Sequence, residues 1–143
     1  MDKKRLASGL MTVGGCIEIL MGLIHFLMPI QLVNASEIAA LANNYKNIIL
    51  LETFAIGLCL FVFGILTIYF SRRLVCGEKS AWIFGISQGV LWMGRTILEL
   101  LFPVTIPLFF LSSPTALVLP VVFLLGLLFL VPLWMYKDEF VTQ

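Results

Sequence analysis

The run Gly85-Ile86-Ser87-Gln88-Gly89-Val90-Leu91-Trp92-Met93-Gly94-Arg95-Thr96-Ile97-Leu98-Glu99 sets a few polar residues into an otherwise apolar segment. At a helical advance of about 100° per residue, Gly85, Gln88, Trp92, Arg95 and Glu99 fall within roughly 80° of one another. One helix face therefore carries all the polar chemistry of the run. An arginine and a carboxylate in hydrocarbon are costly without partners, so this face must point at other helices or at a wet cavity.

The rest of the chain supplies those helices. The 143 residues are 61% hydrophobic and only 12% charged, and the mean hydropathy is +1.08. Soluble domains run at about 45–50% apolar and about 25% charged, so the composition points to lipid as solvent. Four apolar stretches, at about residues 6–28, 47–70, 81–102 and 116–135, are each long enough to cross a bilayer core at about 1.5 Å per residue. The expected fold is an all-α single domain: a polytopic membrane bundle of four antiparallel helices, since short connections make neighbours antiparallel. A signal peptide competes for the first stretch, with Val33-Asn34-Ala35 as a cleavage site. That run is too long for a signal h-region and contains Glu18, so it reads as a retained span ended by Pro29.

The connections are informative. Residues 31–46 read as a loop with a short amphipathic piece over 35–42, broken by Asn43 and Asn44. Gly77 is the turn residue between the second and third spans, and an uncharged, proline-containing loop covers residues 105–114. Asn34-Ala35-Ser36 matches a glycosylation sequon, a three-residue pattern common by chance. Lys3, Lys4, Arg5, Arg72, Arg73, Lys79 and Lys137 fall on one side, and only Lys46 on the other. The positive-inside rule then puts both termini in the cytoplasm, of a bacterial or archaeal plasma membrane.

Counting residues from the cytoplasmic ends puts Glu18 near mid-membrane and His25 about 10 Å further out. His25, Glu52, Arg95 and Glu99, from three helices, share the outer slab. Gly15, Glu18, Gly22 and His25 occupy one narrow arc of the first span, so its polar face is also its small-residue face, where a neighbouring backbone can approach. Gly85 and Gly89 form a GxxxG in the third span. Three carboxylates face one arginine, and in low dielectric they cannot all be ionised without further compensation. Arg95 is expected to pair with Glu52 or Glu99, His25 to accept a proton, and Glu18 to be the protonated acid. Trp92 reads as packing or as a stacking surface for a ligand. Trp82 and Trp134 read as interfacial anchors.

Several function classes fall away. The net charge of +1 leaves no basic surface for nucleic acid. Cys16, Cys59 and Cys76 show no CxxC spacing, and Cys16 and Cys59 read as small packing residues. With one histidine and no Glu-x-x-His pair, neither a metal site nor a bis-histidine haem is expected within one subunit, and no cofactor is implied. No hydrolase triad or phosphate loop is present, which leans away from an enzyme.

Gly15-x-x-Glu18-x-x-x-Gly22-x-x-His25-Phe26-x-x-Pro29 resembles the first helix of DoxX-like proteins, a family of small four-span membrane proteins. That resemblance implies a four-helix fold and, in some members, a link to quinone or redox complexes. Glu18 is also similar to the membrane-embedded glutamate of small multidrug resistance transporters, which implies proton-coupled export. This chain departs from that pattern by carrying Arg95, Glu52 and Glu99, and an arginine would repel cationic substrates.

Three readings follow. The first is a binding protein for an amphipathic lipid- or quinone-like molecule, with Glu18, His25, Glu52, Gln88, Trp92, Arg95 and Glu99 around a cavity in the outer half. Glu18 and Gln88 would form its floor. The second is an accessory subunit whose polar network is purely structural and whose apolar fourth span docks a membrane protein partner or a second copy. The third is a proton-coupled transporter using Glu18.

Overall fold

The computed structural model describes residues 3–103, 113–135, 137 and 138, and these are helical apart from short turns. The elements are α1 (Lys3–Leu32), the single-turn α2 (Ser36–Ala39), α3 (Asn43–Val75), α4 (Lys79–Leu101) and α5 (Pro114–Met135). Three of the helices, α1, α3 and α5, are long and apolar enough to cross a membrane. The loop read over residues 105–114 lies mostly outside the described residues, and Pro114 already opens α5.

Several expected boundaries move: Asn43 and Asn44, read as a break, open α3, and α3 runs past residue 70 to Val75. Pro29 does not end the first helix, which runs on to Leu32. Proline removes one N–H and crowds the preceding turn, but Pro29 stands only a turn from the end, where few hydrogen bonds remain to be lost. The carbonyl of Pro29 itself still accepts from the Val33 N–H at 3.1 Å. The amphipathic piece over 35–42 condenses to α2. Its Ile38 is buried with Leu32 against Met28, Ile49 and Leu50, which ties the connection down over the ends of α1 and α3.

α1 and α3 are held together by glycines. Gly15 lies against Gly64, and Gly22 against Gly57. The two pairs are spaced seven residues apart on each helix, two turns, so one seam faces the partner throughout. A methyl group on Gly22 would fall 2.8 Å from the Phe61 nitrogen and 2.9 Å from the Gly57 carbonyl oxygen. Backbone, not side chain, is thus the packing surface, as in other membrane helix contacts built on small residues. Toward the start of α1 the seam turns polar. Ser8 Oγ donates to the Ser71 carbonyl at 2.6 Å, and the hydroxyls of Thr12 and Ser71 meet at 2.8 Å.

Gly77 makes the turn from α3 into α4, with φ of 79°. That left-handed backbone suits glycine, which has no Cβ to clash. α4 and α5 then pair through a second glycine surface. Gly85 lies against Leu133, Gly89 against Leu130 and Phe129, and Gly126 against Met93. The GxxxG of α4 therefore packs on α5. Phe129, fully buried, lays its ring over Gly14 of α1, which joins the two helix pairs. The apolar core gathers around it from Ala7, Met11, Leu74, Ala81, Val122, Leu125 and Leu133.

The outer surface is apolar. Leu20, Leu51, Phe54, Val90, Ile97, Leu100, Leu124 and Val131 are exposed along all four long helices. Monomeric soluble proteins rarely carry apolar surface this continuous. Cys16 and Cys59, expected to be packing residues, are exposed on that surface. At each of the close helix contacts a glycine is the small residue, because a backbone contact has no room for a side chain.

Candidate functional site

The polar faces of α1 and α4 meet in the interior, and they form two clusters. The inner one centres on Glu18, which has no exposed surface. Gly15 and Gly22 on either side bring α1 close to α3, so the Glu18 carboxyl reaches Thr67, whose Oγ1 donates to Oε2 at 2.8 Å. From α4, Trp92 Nε1 donates to Oε1 at 2.7 Å. Two helices, α3 and α4, are thereby bonded to one carboxyl group carried by α1. Gln88 is one turn before Trp92 on the same face and is 4% exposed; its Oε1 is buried without a hydrogen-bond partner.

The outer cluster centres on Glu99, also fully buried. Thr115, in the first turn of α5, donates from Oγ1 to Glu99 Oε1 at 2.6 Å. Arg95, one turn earlier on α4, places Nη2 2.5 Å from Glu99 Oε2. The 39% exposure of the Arg95 side chain against none for Glu99 gives the pair an inside and an outside. Of the two carboxylates expected as partners for Arg95, Glu99 is therefore the one in contact. Glu52 stands exposed on α3. The reason is angular: Gly57 faces α1, and five residues back along a helix turns Glu52 to a different side.

His25 is half-buried, and Nδ1 meets the Met21 carbonyl at 2.8 Å. A carbonyl only accepts, so Nδ1 carries the hydrogen and Nε2 of the neutral ring keeps its lone pair. Arg95 lies within electrostatic reach of the ring.

Of the residues read from the sequence, Glu18, Gln88 and Trp92 thus belong to the inner cluster, and Arg95, Glu99 and His25 to the outer. Thr67 and Thr115 were missed. Thr67 is a single hydroxyl in an apolar run and Thr115 follows Ser112, Ser113 and Pro114 in sequence; a threonine usually bonds its own helix carbonyl, as Thr12, Thr53 and Thr96 do. The tryptophans at span ends also acquire partners. Trp82 Nε1 donates to the Leu133 carbonyl at 3.0 Å, and Lys137 sits 4.6 Å from the centre of the exposed Trp134 ring. Among the described residues, no three His, Cys, Asp or Glu side chains gather where a metal ion could be held.

Compared with protein-family models, curated proteins and solved structures, the chain finds no match. What the two clusters do has to be argued from their own chemistry.

Proposed function

We propose that this chain is an integral membrane protein of four antiparallel spans with both termini cytoplasmic, in a bacterial or archaeal plasma membrane. In this reading it holds an amphipathic lipid- or quinone-like molecule by its polar head at Arg95 and His25. α4 counts as the fourth span because its polar residues are spent internally: Gln88, Trp92 and Glu99 are buried, while Ile83, Val90, Ile97, Leu98 and Leu100 face outward. Its lower mean hydropathy then reflects an interior stripe and not a wet surface. Kinship with DoxX-like proteins, resting on Glu18, Gly22 and His25 of α1, is part of the same proposal.

The observation that carries the reading is the asymmetry of the Arg95–Glu99 pair. Glu99 is buried and bonded to Thr115, so it fixes the guanidinium, while 39% of the Arg95 side chain remains exposed. A guanidinium has five N–H donors, and a contact through Nη2 leaves others for a second acceptor. His25 Nε2 adds an acceptor nearby. A head group with a carbonyl or acidic oxygen for Arg95 and a hydroxyl for Nε2 matches this pair, and its tail would lie along the apolar helix surfaces. Binding, with no reaction, is what these groups support. Glu18 and Gln88 leave the site in this reading and serve to hold α1, α3 and α4 in register.

The test is native mass spectrometry of the protein released gently from its own membrane, beside Arg95→Lys. Lysine keeps the charge for Glu99 but loses the planar fork. A stoichiometric small adduct on the wild-type chain, lost in Arg95→Lys at unchanged melting temperature, is expected. A chain that carries no adduct but a reproducible protein partner overturns the reading in favour of an accessory subunit. That alternative is favoured by one observation, the complete sealing of Glu18.

A further inference from the structure

We infer that the inner cluster is a single-proton site: Glu18 is a carboxylic acid, and Gln88 Oε1 accepts its hydrogen. The inference goes beyond ligand binding and does not depend on it. It starts from charge. Glu18 has no exposed surface, and a buried carboxylate needs a cation or a proton. Each packed element can be searched for that cation. On α1 the nearest group able to carry a positive charge is His25, two turns away, with its Nδ1 hydrogen on the Met21 carbonyl, and the thiol of Cys16 offers none. On α3, Thr67 touches Glu18, while Arg72 and Arg73 stand exposed near the helix end. On α4, Arg95 is the neighbour, and it is in contact with Glu99. α5 contains no Asp, Glu, Lys, Arg or His at all. Neither Trp92 nor Thr67 brings a charge. A proton is what remains.

Gln88 supplies the independent observation. A methyl group on Gly85 would lie 3.5 Å from Met11 Sδ, and Trp92 reaches Glu18, so the α4 face between them looks onto α1 between Met11 and Glu18. Gln88 occupies that face, one turn before Trp92. Its buried end is a carbonyl oxygen with no donor. An ionised carboxylate alongside would draw the amide N–H inward; an acid calls for the oxygen. An unmet buried acceptor is costly, and one added hydrogen removes both deficits. In the resulting arrangement Glu18 Oε1 is the carbonyl oxygen, accepting from Trp92. Oε2 carries the proton, accepts from Thr67 and donates to Gln88 Oε1.

Infrared difference spectra of the full chain in lipid at neutral pH test this, because acid and carboxylate stretches are resolved. Glu18→Gln should remove an acid carbonyl band; removal of a carboxylate band instead overturns the proposal. Should Glu18→Gln not fold, Trp92→Phe leaves Glu18 in place and withdraws the donor from Oε1. A shift of the acid carbonyl band is then expected, and a change confined to carboxylate bands overturns the assignment. Gln88→Leu should shift the acid band through loss of its acceptor, and an unshifted band refutes Gln88 as that acceptor. None of these readouts involves the outer cluster, so adduct loss in Arg95→Lys and proton occupancy of Glu18 succeed or fail separately.

Discussion

Gly64→Ala, compared with Gly9→Ala, tests whether the α1–α3 seam holds the bundle together. The added methyl at position 64 would lie 2.6 Å from Ile19 Cγ1, 2.7 Å from the Gly15 carbonyl oxygen and 2.8 Å from the Ile19 nitrogen. Two of these three atoms are backbone, so no side-chain rotation relieves the clash and the helices must separate. Overpacking of this kind costs about 1–3 kcal/mol. At Gly9 a methyl meets nothing within 4 Å. Both substitutions exchange glycine for alanine inside a helix and gain the same propensity, about 0.8–1 kcal/mol. That gain cancels in the comparison, and the difference isolates packing. Gly64→Ala should therefore be less stable than Gly9→Ala by about 1–3 kcal/mol, or between about fivefold and a hundredfold in the unfolding equilibrium. Equilibrium unfolding in mixed micelles, followed by tryptophan fluorescence, measures both. Equal stability of the two variants, or a more stable Gly64→Ala, would refute the glycine seam.

The polar clusters give further expectations. Arg95→Gln leaves Glu99 buried without its cation and should cost about 3 kcal/mol, at the low end for a buried pair because Arg95 is partly exposed. Adding Glu99→Gln should recover most of that loss, and a double-mutant cycle showing simple additivity would contradict the pairing. Trp92→Phe removes the indole donor to Glu18 and should cost about 1–1.5 kcal/mol in the same unfolding assay, whereas a Trp92 that merely fills space would lose less. Thiol labelling tests the orientation. A membrane-impermeant maleimide should modify Cys76, in the turn after α3, only in inside-out vesicles, and should leave Cys16 and Cys59 untouched from either side. Labelling of Cys76 from the outer side would reverse the topology.

Much of the fold was legible in the sequence because long apolar runs follow a simple code. Spanning helices must be long and apolar, and Gly77 falls in the turn between α3 and α4 as read, whereas Asn43 and Asn44, read as a break, open α3. Helix pairing was less legible. The seven-residue spacing shared by Gly15 with Gly22 and Gly57 with Gly64 was visible, yet only α1 was read as a small-residue face. Gly57 and Gly64 have no polar residue beside them to draw the eye. The GxxxG of α4 was noticed, but nothing in it says whether α3 or α5 is the partner. Pro29 misled for a related reason: a proline marks where a helix is weakened, and a weakened last turn can still form.

The candidate site divides along the same line. Helical spacing placed Gln88, Trp92, Arg95 and Glu99 on one face, and that holds because the α-helix fixes angle. Depth alone grouped Glu52 with Arg95, and depth does not fix angle. Glu52 shares the slab but points elsewhere, so three carboxylates were counted toward one arginine where two face inward. With Glu52 removed, the interior charges reduce to Glu99 with Arg95 and Glu18 alone. The imbalance inferred from composition thereby narrows to one residue. It is the residue that two neighbouring helices bind with uncharged donors, on the same face of the bundle as an amide oxygen with no donor of its own. Charge neutrality in a low-dielectric interior then makes the protonation of Glu18 a condition of the packing, while the exposed edge of Arg95 is left as the place where a polar head can be met.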